Sequence, residues 1–146
     1  MHEEAPLALS IITGVSSLGG KAFLALYRAG VRARAKAFSL LAGRAFASFG
    51  PRSVIQPPLR LDGEHRISIG DGVFIGPGCW LHVEGDGGGD ELAIVVGDGT
   101  SIVGDCVLSA ARSVRVGRRV LFARNVYVSD HMHAFDDTDV AVLSRA

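Results

Sequence analysis

The chain has 146 residues, of which 48% are hydrophobic and 21% charged, and its formal net charge at pH 7 is zero. This size fits one domain that can bury a core, and the apolar content argues against a disordered chain. Nineteen glycines and only 7% aromatic residues indicate short strands and many turns rather than a helical bundle. Cys79 and Cys106 are too few for a disulfide scaffold and lack the spacing of metal ligands.

The N-terminal third of the chain is basic, although the total charge is zero. The sequence begins MHEEAPLALSIITG, with acids where a secretory signal needs positive charge, and its apolar run ends at Gly14, too early to span a bilayer. We therefore predict a cytoplasmic protein. Between Ala5 and Leu61 there is no acidic residue but eight basic ones: Lys21, Arg28, Arg32, Arg34, Lys36, Arg44, Arg52 and Arg60.

Residues 21–47 repeat apolar side chains at a roughly helical period, with basic residues between them. Gly30 and Gly43 weaken the pattern, so it predicts either one kinked helix or two short ones. A basic amphipathic helix can lie on a membrane surface, which would make the protein membrane-peripheral, or it can be a solvated face packed on its own domain or a neighbouring subunit. We assign residues 1–50 to an N-terminal helical segment.

From Ile55 onward, aliphatic residues recur every six positions, a period that belongs to neither a free helix nor a simple hairpin. Each lap consists of three such units plus two residues, so that Val96 and Val116 are twenty residues apart. Ile69 and Val96 are twenty-seven apart, because seven residues are inserted within EGDGGGDE, residues 84–91. The series is Ile55, Leu61, Ile67, Ile69, Ile75, Leu81, Ile94, Val96, Ile102, Leu108, Val114, Val116, Phe122 and Val128.

A repeat of this kind is the signature of a solenoid. Each unit is one short parallel strand and a turn, and three units close a triangular coil whose aliphatic residues stack on those of the next coil, about 4.8 Å away. Cys79 and Cys106 fall on equivalent inward positions and are predicted to be small core residues. Glycine directly after the inward residue, as at Gly76, is expected to permit the tight corner.

The units IGDGVF, IGPGCW, VGDGTS, IVGDCV and VGRRVL resemble the hexapeptide repeat of left-handed β-helix acyltransferases. Within that superfamily the chain is similar to the maltose and galactoside O-acetyltransferases and to O-acetyltransferases that modify polysaccharides. The resemblance implies an all-β fold for residues 51–146: a left-handed parallel β-helix of about four coils, ending in a histidine loop. It also implies a homotrimer that moves an acetyl group from acetyl-CoA to a hydroxyl of a sugar or polysaccharide precursor.

The segment VLFARNVYVSDHMH is similar to the family stretch in which a coil ends in a loop with the catalytic histidine. Counting eight residues from Asn125, as in the sugar O-acetyltransferases, leads to His133, and His131 remains a second candidate because polysaccharide-modifying relatives also contain Asp-His-x-His. An imidazole can take the hydroxyl proton as the oxygen attacks, and Asp130 or Asp136 could orient the ring. The residues that bind acetyl-CoA are not predicted.

Other interpretations of these residues are weaker. One member of the fold holds zinc with three histidines from stacked coils, but His65, His82, His131 and His133 do not share one spacing, so that no metal is expected. EGDGGGDE carries four acids and would repel phosphate, which favours an inserted loop over a phosphate cradle. Trp80, on an outward position, is expected at an interface or stacked on a sugar. No nucleic-acid partner is expected.

Members of the family continue past the histidine loop with further coils that form much of the acetyl-CoA groove. This sequence extends thirteen residues beyond His133, so it resembles a truncated member. We therefore expect weak or no acetyl-CoA binding by this chain alone if it is incomplete. The alternative function is a non-catalytic β-helix that serves as a scaffold or assembly subunit.

Overall fold

A computed structural model describes residues 7–85 and 91–132, with side chains described from residue 19 onward. The chain divides into two compact units, residues 1–34 and residues 35–146. The helix α1 spans Leu7–Ala42 and is followed by a 3-10 turn at Gly43–Ala45, so that the pattern of residues 21–47 forms one helix rather than two, and this helix ends five residues earlier than the pattern. Within the described residues no helix is long and apolar enough to cross a membrane.

The rest of the described chain forms short parallel strands in three sheets of four strands each, which is the arrangement of a parallel β-helix of about four coils. The sheets have the orders β1-β4-β7-β10, β2-β5-β8-β11 and β3-β6-β9-β12. A second 3-10 turn at Glu64–Arg66 precedes β4. The strands are β1 Ser48–Phe49, β2 Val54–Ile55, β3 Arg60–Asp62, β4 Ile67–Ile69, β5 Phe74–Ile75, β6 Trp80–Val83, β7 Ile94–Val96, β8 Ser101–Ile102, β9 Val107–Ala110, β10 Val114–Val116, β11 Leu121–Phe122 and β12 Tyr127–Ser129.

The core consists of the aliphatic series predicted from the sequence, stacked in columns along the β-helix. In one column Ile55 pairs with Ile75, Ile75 with Ile102 and Ile102 with Phe122. The three isoleucines are at most 1% exposed. Val96 pairs with both Ile69 and Val116, so that the longer lap and the twenty-residue lap keep one register and the inserted residues leave the stack undisturbed.

The two cysteines occupy neighbouring layers of this core, as predicted. Both are free and only 1% exposed. The sulfur of Cys106 lies 3.2 and 3.1 Å from the main-chain oxygens of Gly104 and Ala123, either of which can accept its one thiol hydrogen. Burial is the largest contribution to the raised pKa of the Cys79 thiol. A protonated, enclosed thiol is a poor nucleophile, which supports a packing role for this residue.

Glycines that directly follow inward aliphatic residues have a different role from the one predicted. Gly76 does not adopt a positive φ; instead, a Cβ atom there would lie 1.9 Å from the main-chain oxygen of Val103 in the next coil. Glycine is needed because adjacent backbones come close together at this point. The left-handed positions lie two residues after such glycines, and they are occupied by glycine at Gly72 and Gly99 but by arginine at Arg52 and Arg119.

Buried hydroxyl groups join successive coils at one corner. Thr100, which is fully buried, donates its hydroxyl hydrogen to the oxygen of Gly117 at 2.8 Å and accepts from the N–H of Val120 at 3.2 Å. Ser53 makes the equivalent pair of bonds two coils lower, to Gly70 and Val73. Such a side chain satisfies main-chain groups that the strand ladders leave unpaired.

Candidate functional site

The candidate site lies where β12 ends and the DHMH segment begins. Asp130 follows directly after β12, and its carboxylate accepts three main-chain hydrogen bonds from the corner of the preceding coil. The N–H of Ala111 donates to Oδ1 at 2.7 Å, and the N–H groups of Arg112 and Ser113 donate to Oδ2 at 2.8 and 2.5 Å. Asp130 therefore fastens the start of the loop to the third coil.

These hydrogen bonds also fix the charge of Asp130. Burial of the carboxyl group acts to raise its pKa, but the N–H donors of Ala111, Ser113 and Arg112, together with His131, lower it more. The pKa of Asp130 consequently lies well below that of an ordinary aspartate, because these hydrogen bonds favour the charged form. Asp130 is thus a fixed negative charge at neutral pH and is unsuited to accept a proton in a reaction.

His131 lies beside this anchor with polar atoms close to both ring nitrogens. Its Nδ1 is 3.1 Å from the hydroxyl of Ser129 and 3.2 Å from Oδ1 of Asp130. Its Nε2 is 3.3 Å from Oε2 of Glu84 and 3.5 Å from the hydroxyl of Ser109. The prediction that Asp130 could orient a histidine stays a prediction for catalysis, but the two side chains are in hydrogen-bonding contact.

Ser129 defines which of these groups carries a proton. Its hydroxyl donates to the main-chain oxygen of His131 at 2.9 Å and accepts from the N–H of His131 at 3.2 Å. Since a hydroxyl has one hydrogen, the contact between Ser129 and Nδ1 of His131 requires the ring nitrogen to be the donor. Nε2 is then the nitrogen that faces Glu84 and Ser109. The side chain of His131 is 25% exposed, so it remains accessible from solvent.

A surface hollow of about 380 Å³ adjoins the histidine and is lined by Tyr127, Ser129, His131 and Met132. Tyr127 is 66% and Met132 78% exposed, so the hollow presents an aromatic ring and a flexible thioether beside the polar groups. Such a mixture suits a small ligand with both apolar and hydroxyl surface.

A second polar cluster lies on the same sheet, on the first two coils. The indole N–H of Trp80 donates to Oδ2 of Asp62 at 2.7 Å, and that oxygen lies 3.4 Å from Nδ1 of His82. The guanidinium of Arg60 lies over the Trp80 ring, 5.8 Å from its centroid. The side chain predicted at an interface or against a sugar is therefore half-buried within a charged network. Asp62, His82 and Ser109 occupy one row of paired positions, continued by Ser129.

The other predicted site residues are not brought together in the described chain. His133 and Asp136 lie outside the described residues, and so do residues 86–90 of the predicted inserted loop. His65 belongs to the 3-10 turn Glu64–Arg66 and His82 to β6, whereas His131 follows the last strand. In residues 7–85 and 91–132, no group of three or more histidine, cysteine, aspartate or glutamate side chains could hold a metal ion.

Sequence reasoning missed Glu84, Ser109 and Ser129 as neighbours of His131. The signal for one pair was present, because Ser109 and Ser129 are one twenty-residue lap apart and pair in the β9–β12 ladder. Glu84 had no such signal, since it directly follows β6, a strand two places away from β12 in the sheet, and its side chain approaches His131 from there. Comparison of the chain with protein-family models, curated proteins and solved structures finds no match.

Proposed function

We propose that the protein is an acyltransferase that moves an acetyl group from acetyl-CoA to a hydroxyl of a sugar or polysaccharide precursor. The observation that carries this proposal is the position of the Asp-His-x-His segment, which begins directly after the last described strand of a parallel β-helix. The hexapeptide-repeat acyltransferases that the sequence resembles have their base in a loop at the end of a coil. In this proposal the coil is left-handed, as in that family.

Within the segment, we assign the general base to His133 and a positioning role to His131. The support for this division is the environment of His131, whose ring nitrogens both have polar neighbours within 3.5 Å. Nδ1 donates its hydrogen and so cannot accept one, and the carboxylate of Glu84 lies 3.3 Å from Nε2, where a substrate hydroxyl would have to approach. His133 follows two residues later, and the anchored carboxylate of Asp130 would fix the start of the loop that carries it.

The proposal includes the partners that the resemblance implies. Acetyl-CoA is the donor, a sugar or polysaccharide precursor is the acceptor, a homotrimer is the assembly in which the family builds its donor groove, and the proposed location is cytoplasmic and membrane-peripheral. The exposed cations of α1, among them Arg28, Arg32 and Arg34, support contact with an anionic membrane surface.

The test is release of coenzyme A thiol from acetyl-CoA in the presence of a panel of sugar and polysaccharide acceptors. We expect His133→Ala to lower kcat by at least a hundredfold, because a general base contributes about 10²–10⁴-fold. His131→Ala should cause a smaller loss, roughly tenfold, and His65→Ala, a change at an exposed residue of the Glu64–Arg66 turn, should have no effect.

Three results would contradict parts of the proposal. Full activity of His133→Ala would exclude that residue as the base, whereas an inactive His131→Ala beside an active His133→Ala would exchange their roles. Absence of both acetyl-CoA binding and transfer by the purified protein would instead favour the scaffold function.

A further inference from the structure

A groove of about 770 Å³ lies between the C-terminal end of α1 and the first coil of the β-helix, far along the chain from the histidine segment. All of its lining residues lie between Lys36 and Val54, inside the compact unit formed by residues 35–146. Its volume falls within the range of roughly 300–1,000 Å³ that is usual for small-molecule sites.

The groove is formed by direct contacts between the helix and the coil. The hydroxyl of Ser39, which is 5% exposed, donates to the oxygen of Ala35 at 2.8 Å and accepts from the N–H of Ile55 at 2.8 Å. Gly43 lies against Phe49, and a Cβ atom there would lie only 3.0 Å from the ring. The helix end is therefore fastened to the coil, and the groove exists without a ligand.

The walls of the groove are apolar, and its charges are all positive. Leu40 is 76% exposed, and the tilted rings of Phe46 and Phe49 lie 5.5 Å apart. Lys36 and Leu40 are four residues apart on α1 and therefore lie on one face of the helix, and Arg44 follows in the 3-10 turn Gly43–Ala45. Within the described part of the chain, no carboxylate lines the groove.

One of the three cations of the groove is already paired. Arg52 forms an ion pair with the carboxylate of Asp71, and this contact raises the pKa of Arg52 and lowers that of Asp71. Lys36 and Arg44 have no ion pair among the described residues. The groove consequently offers two cations to a ligand, together with an apolar surface that water covers in the free protein.

We propose that this groove binds a medium-chain fatty acid of about twelve carbons, with the carboxylate at Lys36 or Arg44 and the acyl chain along Leu40, Phe46 and Phe49. The positive charge selects an anionic head and rejects a cationic one, while the apolar walls select a chain rather than a free small anion. This activity is separate from acetyl transfer, because none of the groove residues belongs to the histidine site.

Titration calorimetry with dodecanoate, below its micelle concentration, tests the proposal on the full chain. We expect saturable binding of one molecule per chain, and roughly tenfold weaker binding of decanoate, which has two fewer methylene groups to bury. Dodecanol and dodecyltrimethylammonium should bind at least tenfold more weakly, because they lack the negative charge. Butyrate should not bind measurably.

Two pairs of matched variants locate the site. Leu40→Asp should abolish binding, whereas Leu41→Asp, at a neighbouring leucine that is 75% exposed and does not line the groove, should leave it unchanged. The double variant Lys36→Gln with Arg44→Gln should weaken dodecanoate about tenfold, while Arg32→Gln with Arg34→Gln should not. All four substituted positions in these charge variants are exposed, so folding should be preserved.

Several outcomes would overturn the proposal. Equal losses in Leu40→Asp and Leu41→Asp, or equal affinities for dodecanoate and dodecyltrimethylammonium, would show unspecific adsorption. A dimer in sedimentation experiments that Leu40→Asp dissociates would identify a second copy of the chain as the occupant. Loss of acetyl transfer in His133→Ala leaves fatty-acid binding intact if the two sites are independent, so failure of one proposal is distinguishable from failure of the other.

Discussion

Replacing Asp130 by asparagine should weaken the junction between the last described strand and the preceding coil. The carboxylate accepts hydrogen bonds from Ala111, Arg112 and Ser113. Asparagine has one acceptor oxygen, which can keep the two bonds made by Oδ2, but its amide nitrogen then faces the N–H of Ala111. Hydrogen bonds to a charged group contribute about 1.5–3 kcal/mol and neutral ones about 1 kcal/mol, so the substitution removes about 4 kcal/mol of interaction.

The expected loss of stability is smaller than this sum. The main-chain groups of Arg112 and Ser113 belong to exposed residues, and water replaces part of what the carboxylate provides. We therefore expect about 2–3 kcal/mol, which corresponds to roughly thirty- to 150-fold faster hydrogen exchange at the three amides. Native-state exchange followed by NMR measures this locally, and urea unfolding measures the accompanying global change.

The stability that Asp130 contributes depends on pH, and the pKa shift gives the direction of this dependence. Because the folded-state pKa of Asp130 lies below its unfolded value of about 3.9, its contribution is fully present above that pH and is lost as the pH falls toward the folded-state pKa. The wild type and Asp130→Asn should therefore differ most at neutral pH and converge in acid. Asp98→Asn is the matched control: its carboxylate accepts one main-chain bond, from Asp71 at 2.9 Å, which an amide oxygen can keep.

A different result would refute this reasoning. Equal exchange rates in the wild type and Asp130→Asn would mean that the three hydrogen bonds do not hold the loop. A difference that persists unchanged at about pH 3 would mean that charge is not the cause. An effect of Asp98→Asn as large as that of Asp130→Asn would mean that the number of main-chain hydrogen bonds accepted by the carboxylate does not determine the loss of stability.

Two further substitutions, together with one control substitution, test how the coils are joined. Thr100→Val keeps the shape of a fully buried side chain but removes a hydroxyl that bridges two main-chain groups. We expect the free energy of unfolding, measured in urea, to fall by about 2 kcal/mol. An unchanged midpoint of unfolding would contradict this expectation. Gly76→Ala places a methyl group 1.9 Å from a main-chain oxygen and should prevent normal folding, whereas Gly72→Ala, with φ of 63° and open space around it, should cost only about 1 kcal/mol. Circular dichroism of both glycine variants distinguishes these effects, and similar melting curves would argue against the close approach of backbones.

The core was predictable because its contacts follow from the six-residue spacing of inward aliphatic residues. An inward aliphatic residue every sixth position leaves one way to stack the laps, and the observed pairing of Leu61 with Leu81 and of Leu81 with Leu108 follows it. The insertion between Leu81 and Leu108 did not obscure the register, because the same aliphatic spacing resumes at Ile94. The six-residue period therefore predicts the fold without any matching protein.

The candidate site and the groove depend on contacts that no period encodes. The sequence placed Asp130 beside His131, but the three hydrogen bonds of Asp130 depend on the shape of the corner at residues 111–113. The groove likewise depends on how Ser39 fastens the helix to Ile55, sixteen residues later. A serine in a helical pattern does not predict such a contact, because its hydroxyl can bond to the coil only where an unpaired main-chain group lies opposite it.

The unequal laps of the β-helix have a consequence for how such a protein can change. Ile94 pairs with Ile67 and with Val114 alike, although one lap contains seven more residues than the other. The distance between neighbouring coils, about 4.8 Å, therefore does not depend on the number of residues in a lap. New material can be added at the corner between β6 and β7 while the distances among the outward side chains of the third sheet stay constant. The length of a corner loop can thus change while the positions of the strand side chains stay the same.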